Sequence, residues 1–245
     1  MTGPPQRFFF THVQKTAGTT LNKRMQRHFG RSGVYPDRNV DGEIVASVIS
    51  VEHLLSCWRA RGDEIRVVTG HFPLCTTELL SGEFTTLTLL REPVERTLSY
   101  LRHHRSMTKE DRNKPLEEIY ADPFRFHGLV HNHMVKMFSL TPSEMTDGVL
   151  TRVDFSRDRL ERAKERLATV DVVGLQERFD EFCEELTCRF GWRLGEPVRS
   201  NRTEATEASE AFRSRIAEDN SMDAELYDFA RRLCKQRRVR ARVEA

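Results

Sequence analysis

Three consecutive phenylalanines, Phe8, Phe9 and Phe10, sit within Arg7–His12. A short unbroken apolar run of this kind predicts a strand buried on both faces, as strands of parallel sheets are. Ile65–Gly70, Phe84–Leu90 and Val170–Leu175 are further short runs rich in Val, Ile, Leu and Thr. Helical spacing separates them. Leu160, Ala163 and Leu167 repeat at i, i+3, i+7 behind Ser156, a natural N-cap. Phe179, Phe182, Leu186 and Phe190 do the same, with Gly191 where a C-cap glycine belongs. Leu226, Phe229, Ala230 and Leu233 mark an amphipathic helix near the end. This alternation predicts an α/β chain with a central, mostly parallel sheet covered on both sides. Asn39–Asp41, Thr141–Gly148 and Gly195–Ser209 read as loops, the last being the most polar and either mobile or a lid. Gln26–Gly42 has no pattern that places it, and no internal repeat or low-complexity tract is present.

The first predicted strand runs directly into Gln14–Thr20, after which Leu21 and Met25 open a helical pattern. A strand-loop-helix junction gathers backbone N–H groups and the positive end of a helix around one point, which suits an anion. Ala17 and Gly18 let the backbone come close, Thr16, Thr19 and Thr20 add hydroxyls, and Lys15 adds a mobile charge. A nucleotide-triphosphatase loop reads G-x-x-x-x-G-K-[ST]. Here Lys15 precedes the glycine and no first glycine is present. A second junction spans Leu89–Tyr100, with Pro93 at a first helical turn. Arg91 projects from the strand end and Ser99 lies about two turns into the helix, a guanidinium and a hydroxyl suited to a terminal phosphate monoester.

Gln14-Lys15-Thr16-Ala17-Gly18-Thr19-Thr20 resembles the 5′-phosphosulfate loop of sulfotransferases, in the P-K-T-[AG]-G-T-[ST] form of the carbohydrate enzymes, with Gln14 in place of proline. Arg91 and Ser99 resemble the 3′-phosphate motif of the same family. The likeness is greatest to heparan sulfate 6-O-sulfotransferases and their 2-O relatives. Asp171–Phe179 is similar to their later core strand and helix, Asn201-Arg202-Thr203 to a loop closing over the nucleotide, and Glu225–Ala230 to their terminal helix. The resemblance implies one three-layer P-loop-type sulfotransferase domain over residues 1–245. Its donor would be 3′-phosphoadenosine-5′-phosphosulfate (PAPS, product PAP), with no metal. Gln14–Thr20, Arg91, Ser99, Asn201 and Thr203 would hold that donor.

Sulfuryl transfer to a hydroxyl needs a base, because the hydroxyl's own pKa is far above neutral. The departing phosphate oxygen needs a cation, a role that fits Lys15. Nine histidines compete for the base. His71 follows Ile65–Gly70 and so falls at a strand's C-terminal end, where open α/β sheets place ligands. The resemblance assigns the base to this position. It also places His103, one turn beyond Ser99, against an acceptor sugar. His12, His28, His53, His127, His131 and His133 have no position tied to the loop's mouth, and His104 and Arg105 read equally well as surface residues. The acceptor implied is a hydroxyl on a carbohydrate or glycoconjugate.

Composition narrows the rest. The 245 residues are 38% hydrophobic and 31% charged, with a net charge of +2 that argues for no nucleic-acid partner. Arg231, Arg232, Lys235, Arg237, Arg238, Arg240 and Arg242 concentrate positive charge at the C-terminus, either as a solvated helix end or as a contact for an anionic polymer. Five cysteines show no CxxC pair and no zinc spacing, which predicts reduced thiols and a cytoplasmic chain. Met1 is followed within a few residues by the first core strand, which predicts no signal peptide, and no apolar run approaches the roughly 20 residues of a bilayer span. Two rival readings are a small-molecule kinase on a related nucleotide fold and a catalytically silent module that binds nucleotide or anionic polymer.

Overall fold

The computed structural model describes residues 6–37, 39–42, 44–195 and 208–243. The N-terminal half opens with β1 (Phe8–Thr11), α1 (Gly18–Phe29), β2 (Val34–Tyr35), α2 (Ile44–Ile49), α3 (Val51–Arg61) and β3 (Val67–Gly70). The middle contributes β4 (Thr85–Leu90), α4 (Pro93–Met107), α5 (Leu116–Tyr120), a single turn α6 (Pro123–Arg125) and α7 (His133–Ser139). The chain then forms α8 (Arg157–Thr169), β5 (Val172–Leu175), α9 (Phe179–Phe190), α10 (Glu210–Asp219) and α11 (Ser221–Val243). Asn201 and Thr203, with most of the Gly195–Ser209 loop, lie outside the described residues.

The five described strands form one all-parallel sheet in the order β2-β3-β1-β4-β5. The phenylalanine run lies on its central strand, with Phe10 paired to Thr69 on one side and Leu87 on the other. Alternation along a strand sends neighbours to opposite faces. Phe8 and Phe10 pack with Leu21 and Met25 of α1 and Phe182 and Leu186 of α9. Phe9 instead joins Leu54 and Trp58 of α3. Further along that second face, Leu90, Val173 and Leu175 meet α7, α8 and α11. Helices therefore cover both sides of the sheet, as predicted. Each such phenylalanine contributes about 1.5–3 kcal/mol by leaving water.

The strand β2 falls within the stretch that pattern leaves unplaced. Two residues are too few to alternate, and the strand exists because Val34 and Tyr35 pair with Val67 and Val68. At the other edge, β5 has an unpaired side that side chains cover. The Cys234 thiol donates to the Val173 carbonyl at 3.2 Å, Arg237 to Val170 at 2.7 Å and Arg189 to Asp171 at 3.0 Å. Blocking an edge in this way protects it against pairing with another chain. The basic C-terminal run is accordingly not all solvated: Arg237 also reaches the Ala168 carbonyl at 2.8 Å, and Arg238 pairs with Glu181. Among the described residues, no helix is long and apolar enough to cross a membrane.

A parallel sheet puts all its C-terminal strand ends on one edge. Thr11, Gly70, Leu90 and Leu175 end β1, β3, β4 and β5 there, so the segments that follow them converge.

Candidate functional site

The loop after β1 is held in a conformation that its residues do not prefer. Lys15 and Ala17 both have left-handed backbones, φ 68° and 71°. For residues with a β-carbon this costs on the order of 1–3 kcal/mol each, and such strain clusters at ligand sites. Alternating turns of this type curl backbone N–H groups toward a common centre. Thr16 is fully buried and its hydroxyl donates to the Val13 carbonyl at 2.7 Å. Its side chain thus braces the turn, with its hydroxyl proton directed to that carbonyl.

Ala17 is the N-cap of α1, so no side chain caps this helix, and no acidic residue stands in its first turn. The helix α4 is the opposite case. Glu92 caps it, accepting from the N–H groups of Val94 at 3.0 Å and Glu95 at 2.7 Å, with Pro93 at its start. One helix start on this edge carries its own carboxylate, and the other has neither a side-chain cap nor an acidic residue in its first turn.

Arg91 joins the two junctions. Its Nη1 donates to the Lys15 carbonyl at 3.2 Å, and its Nη2 is 3.9 Å from Glu95. Glu95 is engaged more closely by Arg213 of α10, at 2.7 Å. Burial first, and then the nearby Arg91 guanidinium, hold the Lys15 ammonium below the usual lysine range. Arg91 is itself shifted down, chiefly by burial. Both cations are partly desolvated, and burial penalises the charged form of each.

His71 stands at the end of β3 as predicted. Its backbone N–H donates to the Val48 carbonyl at 2.7 Å, and its Nδ1 lies 2.9 Å from the His12 carbonyl. A carbonyl only accepts, so Nδ1 carries the proton and Nε2 keeps a free lone pair. Burial pushes this imidazole below its ordinary range, and the charge of Lys15 pushes the same way. Lys15 also lowers His103, after burial. Ser99 and His103 are i, i+4 on α4 and so share one face of that helix. Gln14, Thr19 and Thr20 complete the Gln14–Thr20 turn, Thr19 being exposed and the other two half-buried.

His12, which has no position tied to the loop's mouth by sequence reading, lies beside His71 in the fold. Its ring lies 4.6 Å from that of His71 and stacks on Phe10 at 5.4 Å. A β-carbon built on Gly18 would lie 1.9 Å from its Nε2, so the glycine is needed for this close approach. The signal available was spacing: five residues separate a strand-end histidine from the glycine that opens the helix. Two other histidines have structural duties. His28 accepts from the N–H of Arg193 at 3.0 Å, and His53 Nε2 lies 2.6 Å from the Asp41 carbonyl. Cys57 approaches that same Nε2 at 3.6 Å. A nitrogen donating to a carbonyl cannot take a thiol proton, and burial pushes the Cys57 thiol up, so this pair is no nucleophile.

The edge continues past Arg91. Leu90 pairs with Leu175, and beyond Leu175 opens a cavity of about 610 Å³ lined by Glu177, Arg178, Asp228, Arg231, Arg232 and Lys235. Tyr227 donates to Glu177 at 2.6 Å and contributes to the field at Arg91. Compared with protein-family models and with curated proteins, the chain matches none of them.

Proposed function

We propose that the chain is a PAPS-dependent sulfotransferase that moves a sulfuryl group to an acceptor hydroxyl, with carbohydrate as the acceptor class. The observation that carries this reading is the pairing of an uncapped helix start at Gln14–Thr20 with Arg91, the residue that follows the adjacent strand β4, bonded to the Lys15 carbonyl. Two anion positions side by side suit a nucleotide with phosphates at both 5′ and 3′ positions, which is the chemical mark of this donor. The cavity beyond Leu175 offers room for its nucleoside. The fold is that of a P-loop-type sulfotransferase under this reading, and Lys15 ahead of Gly18 separates it from a triphosphatase.

Each residue then has a task. The first-turn N–H groups of α1 and the Lys15 ammonium hold the 5′ end. Arg91, with Ser99, takes the 3′-phosphate. His71 Nε2 accepts the acceptor's proton as the hydroxyl oxygen bonds to sulfur and the sulfur–phosphate oxygen bond breaks. Lys15 neutralises the charge left on that oxygen, and PAP departs. His103, one turn beyond Ser99 on α4, is assigned to the acceptor.

Calorimetric titration tests the donor assignment. PAP without added metal is expected to bind at least about tenfold tighter than magnesium ATP. Tight ATP binding with no PAP binding would instead favour a kinase.

A further inference from the structure

The loop and the candidate base meet at one side chain that neither needs for its own chemistry. His71 hangs from the carbonyl of His12, with Nδ1 2.9 Å from that oxygen. The His12 ring reaches the other way and ends against Gly18, the first residue of α1. Its Nε2, Cδ2 and Cε1 lie 1.9, 2.2 and 2.4 Å from where a β-carbon on Gly18 would be. Phe10 lies parallel to the ring, 16° from coplanar, and the His71 ring sits against it at 44°. The ring is thus confined by the strand below, the helix start at its edge and the second imidazole beside it. Any shift of this ring moves the peptide that orients His71, and any shift of the α1 start moves the ring.

We infer that His12 is a positioning residue, a wedge between the anion loop and His71 that fixes the ring orientation and tautomer of His71. This inference rests on the sulfuryl-transfer reading only for the role of His71 as base. The geometry argues against His12 as the base itself, since the atoms of its ring edge face Gly18 and not an open position. Burial, His71 and Lys15 all press its imidazole toward the neutral form, so the wedge carries no charge into the loop. A flat ring fits the slot between Phe10 and Gly18, whereas a small side chain leaves the strand end free to relax.

The test uses the full chain with ¹⁵N-labelled histidine, alongside the variants His12→Ala and His12→Phe. In the parent protein the His71 ring nitrogens should report the Nδ1–H form. In His12→Ala they should report a mixture, with turnover down by roughly tenfold or more while PAP affinity stays within about threefold. His12→Phe, which keeps a flat ring, should restore both the tautomer and turnover to within about threefold of the parent. The inference is overturned if His12→Ala leaves the His71 tautomer unchanged. It is equally overturned if turnover, PAP affinity and melting temperature fall together and His12→Phe rescues none of them. Absence of sulfuryl transfer in the parent protein would sink the functional reading, while the nitrogen shifts would still decide the role of His12.

Discussion

Replacing Arg91 by alanine separates two duties of this guanidinium, one seen in the structure and one proposed. One is the bond to the Lys15 carbonyl at 3.2 Å, which steadies the loop. The other is the assigned contact with a 3′-phosphate. The first is a bond to a neutral acceptor, about 0.5–1.5 kcal/mol net, or roughly 2- to 12-fold in affinity for any ligand that uses the loop. The second is charge-assisted in a partly desolvated setting, about 1.5–3 kcal/mol, or roughly 12- to 150-fold. The Arg91 side chain is only 23% exposed, so solvent screening removes little of that term. Titrating parent and variant with PAP and with adenosine 5′-phosphate at one fixed ionic strength resolves the two. The ligand without a 3′-phosphate should lose about 2- to 12-fold, and PAP should lose that and the larger factor besides. Equal losses for both ligands would refute the 3′-phosphate assignment and leave Arg91 as a brace for the loop.

His71→Ala should lower turnover at least about a hundredfold with PAP affinity nearly kept, and full activity in that variant would remove His71 from catalysis. The neutral form of His71 is the active one and burial lowers its pKa, so the acid limb of kcat/KM should lie below the ordinary histidine value of 6.5. An acid limb above that value would contradict the assignment. Lys15 must stay protonated and is also shifted down, so the alkaline limb should lie below 10.5. Gly174→Ala should destabilise the fold by about 1–3 kcal/mol in urea unfolding, because the added carbon would lie 2.4 Å from Phe182 and 2.8 Å from Leu89; no loss would mean a looser core than described.

Four of the five described strands were legible because each is a short run rich in Phe, Val, Ile, Leu and Thr. The caps were legible too: Ser156 accepts from the Arg159 N–H at 3.2 Å, and Gly191 has φ 67°. What escaped was set by partners distant in sequence. The strand β2 is defined only by its neighbour, and α7 shows no apolar stripe because all seven of its residues are buried, His133 and Lys136 included. The Lys136 ammonium donates to the Gly128 carbonyl at 2.5 Å, and Arg96 donates to those of Leu129 at 3.2 Å and Val130 at 2.9 Å. Arg96 lies five residues from Arg91 and looks alike in sequence, yet it is fully buried and serves the fold. The same limit applies within the site. Lys15, Arg91 and His71 stood out by residue type, while the contacts of Thr16 with the Val13 carbonyl and of His12 with His71 and Gly18 are ones that only the folded chain defines.

The proposed sulfuryl transfer at the edge that joins Gln14–Thr20, Arg91 and His71 is open to direct measurement. The most direct measurement follows label from ³⁵S-PAPS and from γ-³²P-ATP, side by side, into a panel of oligosaccharides, glycolipids and phenols. The account predicts ³⁵S transfer to at least one hydroxyl-bearing acceptor, abolished together with PAP binding when Arg91 and Lys15 are both replaced. Transfer of ³²P with no transfer of ³⁵S would contradict it.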